Sequence, residues 1–365
     1  MVVLLHFVTQ GYISSSRFVQ NGFLFVDFFF VLSGFVIGSS YGDRIIQGFS
    51  TWRFMWLRLG RIYPLHIVLL AVFLGFEIAV ALFLSGQTDR QAFTGPYSQE
   101  SFVYSLLLVQ IFFGPDGMSW NGPSWSIAAE IWTYLIFALL LRHAGRWLLP
   151  LCMTIAILAP LYLAVSTDRY MNVVHDGALV RCMFGFSLGM IGWRFAARAR
   201  AINLSRWCDH LLELALIAAT IIFVTVAGAG SLSLIAPFLF LAVVLVFSRE
   251  RGLVSTLLKF APFVWVGALS YSIYMIHGFL YYRLLNGLAL LERSTGIDVL
   301  ANTGGANSVG GGALFGDLMT IPFLGLVIAC SYFSYRLIEL PGQSFARRMI
   351  QRREAEPLPA TAGVP

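Results

Sequence analysis

The feature that most constrains this chain is a series of apolar runs of membrane-spanning length. A helix that crosses a bilayer needs about 20 consecutive, mostly apolar residues. Charged residues make up only 12% of the 365 residues and hydrophobic residues 58%, and so little charge cannot cover a water-exposed surface. We therefore predict an all-α, polytopic membrane helix bundle with about ten transmembrane helices. The predicted spans are 1–11, 24–41, 64–84, 125–141, 148–165, 178–196, 211–229, 232–248, 262–284 and 317–338.

The charges between these runs predict the orientation of the bundle. Short basic clusters follow alternate runs, whereas the intervening loops carry mixed or acidic charge. The positive-inside rule assigns the basic side to the cytoplasm, so both termini are expected there. The alternation requires the run 102–113 to be a re-entrant or interfacial segment rather than a span. The net charge of +6 is explained in this way without a nucleic-acid partner.

Three further segments carry expectations of their own. Residues 1–11 look like the second half of a first helix that is truncated in this sequence. The Gly-rich stretch 301–316 lacks the GK[ST] of a phosphate-binding loop and is expected to be a flexible linker, or else a mobile lid. We assign residues 1–342 to one transmembrane domain and residues 343–365 to a basic, disordered cytoplasmic tail.

Five ionisable residues lie inside the predicted spans, where charge is costly and usually functional. The predicted orientation places all five in the outer half of the membrane, and this shared depth predicts a common polar cavity. Structural alternatives remain, because Asp27 suits a helix N-terminus, Arg181 can snorkel to the headgroups, and the histidines can be core residues with satisfied hydrogen bonds. The five residues are His6, Asp27, Glu130, Arg181 and His277.

A basic and aromatic stretch, TWRFMWLRLGRIYPLHI, stands at the cytoplasmic edge of the third span. Arg58 and Arg61 are three residues apart and share one helix face. With Arg53, they form either a positive-inside anchor in an aromatic belt or a site for a phosphate-bearing cytoplasmic molecule. Pro64 is expected at or near the start of the following helix.

Several short motifs occur together in the order found in one known family. The chain resembles the bacterial acyltransferase-3 family of integral-membrane acyltransferases, and the resemblance extends over nearly its whole length. The matching segments are VDFFFVLSGFVIG (26–38), RLGRIYP (58–64), GPSWSIAAEIW (122–132), RCMFGFSLG (181–189) and LSYSIYMIHGF (269–279).

The resemblance implies an O-acyltransferase of the bacterial cytoplasmic (inner) membrane. Family members take an acyl group, commonly acetyl, from a cytoplasmic acyl-CoA and place it on a hydroxyl of an extracytoplasmic glycan or lipid-linked sugar. His6 falls at the position of the catalytic histidine of the family, and Arg58 and Arg61 fall on its donor-linked RxxR element. The arginine that the family carries earlier on the same helix would precede Met1.

These residues predict a direct transfer with acyl-CoA as co-substrate and no metal. His6 is expected to act as general base, oriented by Asp27 or Glu130. Arg181 and His277 are expected to stabilise the oxyanion or to bind the acceptor.

The basic residues predict a binding site for the acyl donor, and one alternative function remains open. Arg58 and Arg61, with Arg53, are expected to hold the CoA phosphates. Ser33 is interpreted as a helix-packing residue beside Gly34 rather than as a nucleophile. Membrane lipid and an extracytoplasmic saccharide are the expected partners. The alternative is a transporter or flippase for a lipid-linked sugar, which would bind no acyl-CoA.

Overall fold

The structure is a computed structural model that describes residues 1–83, 91–114, 119–303 and 306–355. Its described residues form helices and one two-stranded hairpin. The first helices are α1 (Val2–His6), α2 (Tyr12–Ser15), α3 (Arg17–Gln20), α4 (Phe25–Ile37), α5 (Asp43–Ile46), α6 (Thr51–Phe83), α7 (Gln99–Leu106), α8 (Ser124–Ala144) and α9 (Leu148–Ser166). The later elements are α10 (Ala178–Ala201), α11 (Arg206–Ala227), α12 (Ala236–Phe247), α13 (Leu253–Leu258), α14 (Ala261–Ala268), α15 (Ser270–Thr295), β1 (Leu300–Thr303), β2 (Ala306–Val309), α16 (Ala313–Ser334) and α17 (Leu340–Ala355).

The chain has the all-α, membrane-type fold that its composition predicts. Within the described residues, five helical stretches are long and apolar enough to cross a membrane, and six if α14 and α15, which meet at a 62° bend, form one broken span. The predicted span 232–248 corresponds to a shorter apolar helical segment, and the run 102–113 contains only the end of the eight-residue helix α7. The five stretches are Gly22–Ile46, Thr51–Phe83, Ser124–Ser166, Arg206–Ala227 and Ala313–Gln351.

Helix α6 begins earlier than the sequence predicts and contains Pro64 in its interior. Its 33 residues correspond to about 50 Å at 1.5 Å per residue, which exceeds the ~30 Å hydrocarbon core. The expectation that Pro64 starts a helix is therefore wrong. A proline inside a helix cannot donate to the carbonyl four residues earlier, here that of Gly60. Gly342 of α17 packs closely against Gly60 and Pro64 on this side of α6.

Helices α4 and α10 pack backbone to backbone at the centre of the bundle. A Cβ on Gly34 would collide with the carbonyl oxygen of Phe186, and a Cβ on Gly189 would collide with that of Val31. Only glycine permits this approach, as in other membrane helix pairs with small residues at the interface. The close contact fixes the faces that α4 and α10 turn towards each other.

The Gly-rich segment forms a hairpin instead of an unstructured linker. Strands β1 and β2 pair antiparallel with Leu300 opposite Val309. Val309 also bridges to Thr9, and its backbone exchanges hydrogen bonds with Val8 and Gln10. The linker expectation is wrong for the two strands because β2 is tied to the segment after α1. Residues 304 and 305 lie outside the described part of the chain.

The C-terminal segment is helical through Ala355, where α17 ends. Ala346 of this helix is buried against α6. The prediction of a disordered tail is therefore wrong between residues 343 and 355, because glycines on both helices let them pack closely. Residues 356–365 lie outside the described part of the chain.

Candidate active site

His6 and His277 form a direct side-chain pair between α1 and α15. Nδ1 of His6 lies 2.9 Å from Nε2 of His277, and the two rings stack with centroids 5.1 Å apart. His277 is completely buried, whereas His6 remains partly exposed. The partner of His6 is therefore another histidine. The expectation that a carboxylate, that of Asp27 or Glu130, orients His6 is wrong.

One arrangement of the ring protons satisfies both hydrogen-bond contacts of His277. Its Nδ1 lies 3.3 Å from the carbonyl oxygen of Ile273, and a carbonyl only accepts, so Nδ1 carries the proton. A neutral His277 then presents a lone pair on Nε2, which accepts from Nδ1–H of His6. The Nε2 atom of His6 is left with a lone pair, the form that a general base requires.

Contacts from α15, α16 and the hairpin hold the end of α1 in place. The Phe7 ring stacks on Phe323 at 4.2 Å between centroids and packs edge-on against Tyr281. The Tyr281 hydroxyl donates to the carbonyl of Val8 over 3.2 Å. Because Tyr281 lies one turn beyond His277, these contacts bring His6 to the histidine on α15.

Asp27 and Arg181 form a buried, bidentate ion pair between α4 and α10. Nε of Arg181 donates to one carboxylate oxygen and Nη2 to the other, each over 2.8 Å. Both side chains are at most 1% exposed. The guanidinium also donates to the carbonyls of Val173 and Phe23 and lies 5.2 Å from the centre of the Trp125 ring.

This pairing changes the expected roles of both residues. Arg181 uses four of its five N–H groups, so the prediction that it stabilises a reaction oxyanion finds no support in its contacts. Its burial also excludes snorkelling to the headgroups. Asp27 lies in the first turn of α4, but both carboxylate oxygens are directed to Arg181. The pair is placed to fix the register of α4 against α10.

A cavity of about 440 Å³ runs between α1, α4, α6, α8 and the bent pair α14–α15. One side is an apolar stripe of α4 that repeats about every turn, Phe25, Phe29, Leu32 and Val36. Val2, one turn before His6, also lines it. The polar residues of its wall are Ser33, Arg58, Arg61, Glu130, Tyr134, Ser270, Tyr271 and Tyr274.

Only Glu130 of the five intramembrane ionisable residues lines this cavity. The expected single cavity shared by all five is therefore wrong, because they form three separate groups. The His6–His277 pair borders the cavity through Tyr274, whose ring centre lies 6.0 Å from that of His277.

Glu130 forms a compact hydrogen-bonded cluster with Ser33 and Tyr134. Its Oε1 accepts from Ser33 Oγ at 2.6 Å and from the Tyr134 hydroxyl at 2.5 Å. The interpretation of Ser33 as a packing residue is wrong, since Gly34 makes the close helix contact while Ser33 faces the cavity. Tyr134 was missed, although its spacing of one helical turn from Glu130 is a usable signal.

The two RxxR arginines reach the same cavity from α6. Arg58 donates to the Tyr41 hydroxyl over 3.1 Å and lies above the Tyr41 ring. Arg61 is exposed, and both arginines line the cavity together with Glu130. Arg53 does not join them; it lines a different pocket with Trp52 and Trp56.

Metal chemistry has no evident site in the part of the chain that the structure describes. No three His, Cys, Asp or Glu side chains there are grouped closely enough to hold an ion. The arrangement instead offers a polarised histidine pair, a carboxylate–hydroxyl cluster and two guanidiniums around one cavity. These groups suit proton transfer at one end and anion binding at the other.

Comparisons with known proteins identify a family and one relative that is named as an acyltransferase. A family model described as an acyltransferase domain matches residues 1–337. Acyltransferase MdmB of Streptomyces mycarofaciens is 33% identical over 141 residues, which are 38% of this chain and 30% of that protein. Protein 2 in the picA locus of Rhizobium radiobacter is 28% identical over 126 residues, 32% of this chain and 65% of that protein. The chain thus spans less than two thirds of either relative, and no solved structure matches it.

Proposed function

The chain belongs to the acyltransferase-3 family, and from this premise we propose that it is a membrane O-acyltransferase. It moves an acyl group, acetyl by the default of the family, from cytoplasmic acyl-CoA to a hydroxyl of an extracytoplasmic glycan or lipid-linked sugar. The observation that carries this proposal is one cavity lined by the RxxR arginines that also borders the histidine pair. The name of the acyltransferase relative agrees with the reaction class.

The donor enters this cavity from the arginine end. Arg58 and Arg61 bind phosphate groups of CoA, because guanidiniums pair with phosphate oxygens through several N–H groups. The thin pantetheine arm then extends along α4. From Ile37 to Phe25, both in the cavity wall, the helix rises about 18 Å. This length carries the thioester away from the arginines and towards His6.

The Glu130 cluster lies along this path and binds the donor arm. Only Oε1 of Glu130 accepts hydrogen bonds from described residues, so Oε2 is available to accept from an amide N–H of pantetheine. Glu130 is thus a positioning residue in this proposal, with its carboxylate oriented by Ser33 and Tyr134. Asp27 and Arg181 keep the α4 wall of the cavity in register with α10.

The chemical step is a direct transfer. Nε2 of His6 takes the proton of the acceptor hydroxyl while the oxygen of that hydroxyl attacks the thioester carbonyl carbon. The carbon–sulfur bond then breaks, the thiolate of CoA takes the proton from His6, and an O-acyl ester remains. His277 orients the ring of His6 and accepts from its Nδ1–H throughout.

The proposed topology connects a cytoplasmic donor to an extracytoplasmic acceptor. It has ten spans with both termini in the cytoplasm, residues 1–342 as the membrane domain and residues 343–365 as a basic cytoplasmic segment. The bacterial inner membrane is the proposed location. The positive-inside pattern of the loops supports this orientation, and no metal takes part.

Binding and turnover of the donor test the proposal against a transporter or flippase for a lipid-linked sugar. Purified protein in lipid nanodiscs is titrated with acetyl-CoA, and membranes that contain it are incubated with acetyl-labelled acetyl-CoA. We expect saturable binding and label on a saccharide or lipid-linked sugar. Transport of a lipid-linked sugar without any acyl-CoA binding would instead support the transporter. Mass spectrometry of envelope glycans from deletion strains identifies the acceptor.

A further inference from the structure

Arg44 of α5 has no role in the proposed reaction, but it shares an aromatic ring with one of the donor arginines. Its guanidinium carbon lies 4.5 Å from the centre of the Phe49 ring and 5.4 Å from that of the Tyr41 ring. The guanidinium carbon of Arg58 lies 4.9 Å from the same Tyr41 ring centre. Two guanidiniums therefore stand around one tyrosine, at the end of the cavity where the donor phosphates would bind.

A turn of π-helix between α4 and α5 places Tyr41 beside Arg58. The turn extends over Gly38–Gly42, and a Cβ on either of these glycines would collide with the Trp193 ring of α10. The glycines thus let one face of the turn pack closely against α10. Tyr41 follows one turn after Ile37, which lies in the cavity wall, and its hydroxyl accepts from Arg58 on α6.

The guanidinium of Arg44 is available to a ligand. The side chain is exposed, and its recorded contacts in the described part of the chain are the two aromatic rings. Contact with a ring engages the face of a guanidinium and leaves its N–H groups, which lie in the plane, to donate. The neighbouring acid, Asp43, is 69% exposed and lies 3.9 Å from Arg194.

The order of these groups along α4 and α5 matches the order of groups in CoA. The diphosphate of CoA connects the pantetheine arm to an adenosine that carries a 3′-phosphate. In the proposed donor pose, the diphosphate is at Arg58 and Arg61, and the pantetheine arm extends along α4 away from Ile37. The adenosine then extends the opposite way, past Tyr41. The helical path from Ile37 to Arg44 advances about 10 Å in that direction.

We propose that Arg44 binds the 3′-phosphate of CoA, with the Tyr41 ring holding its guanidinium beside Arg58. Guanidiniums pair with phosphate oxygens through several N–H groups. This inference rests on the proposed function and deepens it, because it selects CoA among the possible acyl donors. A donor on a carrier protein has the phosphopantetheine arm but lacks the 3′-phosphate. Arg44 touches no reacting atom and determines specificity only.

Binding of CoA and of 3′-dephospho-CoA, which lacks only this phosphate, tests the proposal. The full chain in nanodiscs of phosphatidylcholine is titrated calorimetrically with each ligand at one ionic strength. Wild-type protein should bind CoA about fivefold or more tightly than 3′-dephospho-CoA, the upper end for an exposed ion pair. In Arg44→Gln this preference should fall below about twofold through weaker CoA binding. An unchanged affinity for 3′-dephospho-CoA would show that the variant folds.

The matched control is Arg206→Gln, which removes the same charge at an exposed position of α11, a helix that does not line the cavity. It should keep the wild-type preference for CoA. Equal wild-type affinities for the two ligands, or an unchanged preference in Arg44→Gln, would overturn the 3′-phosphate site. The latter result would leave Arg44 to another phosphate, such as a lipid headgroup.

An equal loss of both ligands in Arg44→Gln would also contradict the proposal, because it would show a general effect of charge or folding. The outcome for the wild type separates this proposal from the proposed function. CoA binding without discrimination refutes the 3′-phosphate site alone, whereas the absence of binding by either ligand refutes both.

Discussion

The buried pair of Asp27 and Arg181 gives the sharpest prediction about stability. Asp27→Asn keeps the shape of the side chain but replaces one acceptor oxygen with an NH₂ group that faces the guanidinium. Arg181 would then carry an unbalanced charge at 1% exposure. Breaking a buried ion pair by removing one partner costs about 3–5 kcal/mol, and we expect this loss for Asp27→Asn.

A double-mutant cycle separates the ion pair from simple helix capping. Arg181→Gln should cost about 3–5 kcal/mol as well, since it leaves the carboxylate buried and unpaired. The double variant Asp27→Asn/Arg181→Gln removes both charges and should be no less stable than either single variant. The coupling free energy is then at least about 3 kcal/mol, the upper end of the range for residues in direct contact.

Equilibrium unfolding in mixed micelles of dodecyl maltoside and dodecyl sulfate, followed by tryptophan fluorescence, measures these free energies. Asp176→Asn is the control, because that side chain is 99% exposed, and it should change stability by less than about 0.5 kcal/mol. Asparagine caps a helix about as well as aspartate. A loss below about 0.5 kcal/mol for Asp27→Asn, or additive single losses, would refute the ion-pair account and restore the capping interpretation.

Two further predictions concern the donor site and the helix contact. Arg58→Gln and Arg61→Gln should each weaken acetyl-CoA binding by roughly tenfold or more, and the affinity should depend less on salt. The control Arg146→Gln, at an exposed position, should leave the affinity within about twofold of the wild type. Isothermal titration in nanodiscs measures these affinities, and unchanged binding in both variants would remove the arginines from the donor site. Gly34→Ala should lower the free energy of unfolding by about 1–3 kcal/mol through overpacking, because its Cβ collides with the carbonyl of Phe186; unfolding in the same mixed micelles checks it, and wild-type stability would contradict the close contact.

The sequence predicts the class of fold because the low content of charged residues and the length of the apolar runs both indicate a chain surrounded by lipid. It does not predict where α6 begins, since a proline inside a helix is tolerated when a neighbouring helix packs against that turn. Pro64 has that support from Gly342 of α17, a contact more than 270 positions away in the chain. The strands β1 and β2 were also missed because of a long-range contact. Val309 of β2 bridges to Thr9, which is distant in the sequence.

The sequence does not predict how the ionisable residues of the apolar runs pair with one another. Depth along the membrane normal follows from helix direction, so His6 and His277 could be placed in one layer. The position of each helix around the bundle does not follow from depth, and the partner of His6 was therefore assigned to a carboxylate. Arg53 was grouped with Arg58 on sequence proximity, whereas the helical period of α6 puts the two on different faces.

The most direct test of the account is acyl transfer by His6→Ala, measured beside donor binding. Membranes with wild-type or variant protein receive labelled acetyl-CoA, and label on saccharide or lipid-linked sugar is followed over time. Since a general base contributes about 10²–10⁴-fold, we predict a loss of at least ~100-fold in transfer, with acetyl-CoA affinity within about threefold of wild type. Wild-type transfer rates in His6→Ala would contradict the assignment of His6 as the base.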